Sequence, residues 1–87
     1  MDTASRAAAE TVRTAIWRAR TTQTAVAAAI SMSSTTWRRR ISGKSSFSLS
    51  NLVAIAGALK IDPVQLVNEV MERALQLDDD EAMEQAS

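Results

Sequence analysis

The chain contains neither cysteine nor histidine. The first absence excludes disulfides, thiolate metal sites and cysteine nucleophiles. The second removes the commonest general base and the commonest metal ligand. Aromatic residues form only 3% of the sequence, and alanine supplies much of its 46% apolar content. The core is therefore expected to be thin and built by close approach of helices. Two Gly and one Pro leave little material for turns, which favours an all-helical fold. The N-terminal region holds no long apolar run, because Ala7 to Ala9 are flanked by Arg6 and Glu10. Neither a signal peptide nor a membrane span is expected, and a cytoplasmic protein is the plain reading. At 87 residues the chain corresponds to one small domain, for which self-association would be a natural supplement.

Enzymatic chemistry is not expected either. The acidic residues cluster near the C-terminus instead of converging on a pocket. No phosphate-cradling glycine loop and no metal-ligand spacing is visible, so no cofactor, metal or small-molecule ligand is expected.

Charge is present in equal amounts but unequally placed. Residues 1 to 60 carry nine cations against Asp2 and Glu10, a net +7. Residues 61 to 87 carry Arg73 against eight acids, a net −7. A basic body suits a polyanion partner on one face. Residues 78 to 87, DDDEAMEQAS, are expected to be a disordered acidic tail, since four successive acids repel one another and bury nothing.

Apolar periodicity predicts five helices. The first runs from near Ser5 to Arg20, with Ala8, Val12 and Ile16 on one stripe and Ala15 and Ala19 beside them. Trp17 lies next to that stripe. Thr22 is an N-cap for a second helix over Gln23 to about Ile30, and Ser33 for a third reaching about Arg40. Gly43 ends the third helix, and Phe47 anchors the loop that follows. A fourth helix begins after Ser48 and is expected to bury Leu49, Leu52, Ile55, Ala56 and Leu59. Asp62-Pro63 starts a fifth helix, which is expected to reach about Leu77.

The segment from Thr22 to Lys44 carries the distinctive chemistry. With Trp37 and Ile41 turned to the core, a helical wheel places Thr35 and Arg39 opposite them, with Thr36 and Arg38 on the flanks. Ser33 and Ser34 sit at the helix tip. Small polar groups forward and cations behind suit a helix in a DNA major groove. Arg38 and Arg39 are the first candidates for base contacts, most simply to guanine O6 and N7, followed by Ser34 and Thr35. Thr22, Gln23, Ser33, Thr36, Arg40, Lys44 and Ser45 are candidates for phosphate contacts.

The stretch from Val12 to Leu66 resembles the Cro/repressor-type helix-turn-helix family, also called XRE-like regulators. The resemblance is carried by Gln23, Ala27, Ser33, Trp37, the RRISGK segment at 39–44, Phe47, Leu49, Leu52 and IAGAL at 55–59. It is similar in particular to phage immunity repressors and Cro-like proteins of actinobacterial hosts. This resemblance implies a five-helix bundle of the lambda-repressor-like type, comprising residues 1–77. Its second and third helices, within residues 22–41, would read an operator in double-stranded DNA, usually as a dimer and inside a bacterial host cell. Gln23, Ser34, Thr35, Arg38 and Arg39 match positions at which such proteins contact DNA. Two positions depart from the pattern: Ser31 stands where glycine is frequent, and Arg40 at a site that is usually apolar.

The fifth helix is richer in large apolar residues than a small domain needs. A homodimer through Val67, Val70, Met71 and Ala74 is expected. Two other functions fit the same features: a protein-interaction module such as an antitoxin-like or scaffold subunit, and an architectural or excisionase-like DNA-binding protein.

Overall fold

In the computed structural model the chain forms five helices: α1 (Thr3–Arg18), α2 (Gln23–Ala29), α3 (Ser34–Ile41), α4 (Leu49–Leu59) and α5 (Pro63–Ala86). The structure describes residues 2–86, with side-chain surroundings described as far as Glu81. No strand occurs among them, so the fold is an all-α five-helix bundle. No helix of the described residues is long and apolar enough to cross a membrane.

Each helix opens on a side chain that satisfies a free backbone N–H. Asp2 accepts from the Ser5 amide at 2.7 Å, Thr22 from Ala25 at 3.1 Å and Ser33 from Thr36 at 3.2 Å. Ser48 accepts from Asn51 at 3.0 Å while Asn51 Oδ1 accepts from the Ser48 amide at 3.0 Å, a reciprocal capping box. Asp62 accepts from Val64 at 2.9 Å, with Pro63 following it directly. Such caps stabilise a helix by about 1 kcal/mol each. The backbone N–H of Ser5, and then its hydroxyl, hold the Asp2 carboxyl below the usual carboxylate range.

The first four helices also share one ending. A residue with φ near +57° to +84° follows each: Arg20, Ser31, Gly43 and Lys60. That residue and the next one donate back to carbonyls of the last turn. Thr21 reaches Ile16, Met32 reaches Ala27, Lys44 reaches Arg39 and Ile61 reaches Ala56, at 2.9–3.3 Å. This pattern normally selects glycine, because a Cβ crowds the left-handed conformation. Here glycine occupies one of the four sites.

α1 is the central helix, packed against α5, α3 and α2. Ala7, Ala8 and Ala9 are all buried, which three consecutive helical residues can be only if neighbours cover more than one face. Their small side chains let those neighbours approach closely. Around α1 the core gathers Val12, Ile16, Val26, Trp37, Ile41, Phe47, Leu52, Ile55 and Leu66. The Trp37 and Phe47 rings meet edge to face, centroids 5.5 Å apart.

Two expectations are corrected. Leu49 is 65% exposed, not buried. A three-residue step turns a helix by about 300°, so Leu49 is displaced from Ile55 onto the flank it shares with Val53, 48% exposed. The acidic segment is not a disordered tail: α5 continues through it to Ala86, and Ser87 lies outside the described residues. Leu77 is buried, Arg73 pairs with Glu10 at 2.6 Å and Glu81 pairs with Arg6 at 3.2 Å. These contacts lay the helix along α1, and helical spacing turns successive carboxylates about 100° apart.

Candidate nucleic-acid interface

α2 and α3 are joined by Ile30 to Ser33, with the left-handed Ser31 setting the change of direction. α3 is held from behind by Trp37 and Ile41, both buried. The Trp37 indole N–H donates to Gln23 Oε1 at 3.2 Å, which ties α3 to the first turn of α2. At the far end Arg13 of α1 donates from Nη1 to the Ile41 carbonyl at 2.8 Å, satisfying one of the last free carbonyls of α3. The short helix is therefore held at its middle and at its C-terminal end by side chains of other helices.

With the inner face anchored, Ser34, Thr35, Arg38 and Arg39 are all exposed. They form one continuous polar outer surface, hydroxyls at the N-terminal tip and guanidiniums toward the C-terminal end. Neither guanidinium enters an ion pair among the described residues. Each presents a planar fork of donors, suited to a pair of adjacent acceptor atoms. Lys44 is exposed just beyond the glycine that closes α3. The three positive side chains thus gather at the C-terminal end of α3.

Other expected contact residues have internal roles. Ser33 caps α3, and its hydroxyl also donates to Thr36 Oγ1 at 3.0 Å. Thr22 is exposed but its hydroxyl is engaged as the α2 cap. Gln23 is exposed, with its carbonyl oxygen committed to Trp37 and its amide N–H2 without a partner among the described residues. Ser45 is half-buried. Arg40 differs most from expectation: it is half-buried and donates to Asn51 Oδ1, bracing α3 against α4 instead of extending the cationic face.

Comparison of the chain with family models, curated proteins and solved structures finds no match.

Two features of the site escaped the sequence. Arg13 looked like one of several surface cations on α1, and nothing local marked it as the residue that caps α3. Trp17 is 79% exposed, although it adjoins an apolar stripe. A signal was present in the spacing, since Arg13 and Trp17 are four residues apart and share a face away from Val12 and Ile16. Of the expected dimer residues, Val67 and Val70 pack against the chain's own core and Ala74 is half-buried. Met71 is 58% exposed, and Val64 and Leu75 join it, both at 65%.

Proposed function

We propose that the protein is a sequence-specific double-stranded DNA-binding regulator of the phage repressor or Cro-like type, with α3 as the element that enters the major groove. The observation that carries this reading is the outer face of α3. Two hydroxyls and two guanidiniums, unpaired among the described residues, project from a helix whose opposite face is clamped by Trp37 and Ile41. Arg38 and Arg39 are positioned for base edges, Ser34 and Thr35 for base edges or phosphates, and Lys44 for the sugar–phosphate strand. Regulation follows from occupancy: a protein seated on an operator excludes other proteins from it.

Arg39→Ala is the direct test. It should lose about 1–3 kcal/mol on the preferred sequence and relax preference at one base position, read from sequences selected out of a random duplex pool. An equal loss on every sequence would reassign Arg39 to a phosphate.

One observation favours a second reading, a protein-interaction module. Val64, Met71 and Leu75 fall on one side of α5 and remain exposed. Such a stripe serves either a second copy of the chain on a two-fold operator or a different protein. Salt titration separates the readings, because phosphate binding gives a steep linear fall of log affinity with log salt and an apolar interface does not.

A further inference from the structure

Trp17 is the most exposed large apolar side chain of the described residues, at 79%, and stands outside their core cluster. It stands at the rim of an open hollow of about 450 Å³ lined by Arg13, Thr14, Ile16, Trp17, Thr21 and Gln23. No carboxylate lines this hollow. A larger hollow adjoins it at Arg13 and Thr14, and there Glu10, Glu69 and Glu72 stand together with Arg18 and Arg73. Gln23 also lines the groove beside α3, together with Ser34, Trp37 and Arg38. The two depressions thus meet at Gln23, which links the groove beside α3 to the hollow beside the indole. Arg13 spends one N–H on the Ile41 carbonyl and remains exposed. Arg20, exposed, follows Trp17 by three residues.

We infer that Trp17 extends the DNA-facing surface onto α1, its indole packing on the deoxyribose backbone of duplex DNA while Arg13 and Arg20 meet the flanking phosphates. The inference rests on the DNA-binding reading above and adds a contact outside the groove entered by α3. An indole in a hollow lined by no carboxylate, with Arg13 beside it and Arg20 three residues on, complements a polyanion that offers apolar sugar faces between its charges. A protein surface with acidic residues lacks that regular alternation. Because the contact touches sugar and not base edges, it strengthens binding on all duplex sequences alike.

The experiment compares wild type, Trp17→Ala and Arg39→Ala on selected and on scrambled duplexes, with the acrylamide accessibility of tryptophan fluorescence measured in parallel. Trp37 is 5% exposed, so the accessible emission belongs to Trp17. The expected result is protection of that emission by duplex DNA. Trp17→Ala should bind about tenfold more weakly on both duplexes, in line with aromatic contacts to nucleic acid. The slope of log affinity against log salt should not change, since an indole displaces no counterion. An indole as accessible in the complex as in the free chain overturns the inference, as does wild-type affinity of Trp17→Ala. If Arg39→Ala still loses specific binding in that case, the α3 reading stands and the α1 extension alone falls. If wild type shows no salt-dependent duplex binding, both fall. A thermal melt of Trp17→Ala guards against misfolding, and so exposed a side chain leaves no cavity when removed.

Discussion

Ser31 and Gly57 occupy each other's natural positions. Ser31 holds φ 57° in the turn between α2 and α3, where a Cβ costs about 1 kcal/mol or more. Gly57 sits inside α4, where glycine costs about 1 kcal/mol relative to alanine. A Cβ built on Gly57 meets nothing within 4 Å, so packing does not require the glycine. The variant carrying Ser31→Gly and Gly57→Ala should therefore be more stable than wild type by roughly 1–2 kcal/mol in denaturant unfolding. A loss of stability would mean that the Ser31 side chain makes a contact that outweighs its backbone strain. Arg20 and Lys60 face the same conflict at the ends of α1 and α4. The scarcity of glycine is thus felt at three separate residues, and all three adjoin connections between helices. At this scale the sequence was informative about caps, since Thr22, Ser33, Ser48 and Asp62 all cap as their residue types demand. It was uninformative about Arg13 and Arg40, whose partners Ile41 and Asn51 are 28 and 11 residues away in the chain.

Among the elements, α3 and α5 present opposite cases. α3 has two buried anchors, Trp37 and Ile41, and their four-residue spacing already set which side chains point outward. The exposed group Ser34, Thr35, Arg38 and Arg39 was legible for that reason. α5 carries apolar residues on several sides, and periodicity alone did not say which side the bundle would use. The structure turns Leu66, Leu77 and the flanking Val67 and Val70 inward, and leaves Val64, Met71 and Leu75 on the outside. The exposed apolar stripe of α5, where the proposed self-association would occur, therefore centres on Met71 and not on Val67 or Val70. Met71→Glu combined with Leu75→Glu should leave the monomer fold intact and shift sedimentation to a monomer at micromolar concentration, if wild type is a dimer there. Val70→Glu should instead lower the unfolding midpoint, because it buries a carboxylate beside the core. Unfolding by the first pair as severe as by Val70→Glu would show that the outer stripe is structural.

For the whole molecule, the opposite charges of the two ends are joined through α1 and α5. Arg6–Glu81 and Arg73–Glu10 bring the acidic helix onto α1, and among the described residues no carboxylate pairs with the cations of α3. Truncation after Leu77 removes Glu81 and with it one solvated ion pair, whose loss is worth less than about 1 kcal/mol. The truncated chain should therefore unfold within about 1 kcal/mol of wild type. Its binding to random duplex DNA at low salt should tighten, because a cluster of negative charge has been removed from the molecule. Unchanged binding would show that the acidic helix lies too far from the DNA, on the scale of a Debye length, to be felt. What the sequence determined by itself was local: helix type, capping, and the outward face of a helix with two large anchors, all set by neighbours within a turn or two. Only the tertiary structure decided that an acidic run would be helical, that Arg40 would brace α4, and that Trp17 would stand in solvent. Each of those outcomes depends on which helix lies alongside, a long-range choice made by packing around the small residues of α1.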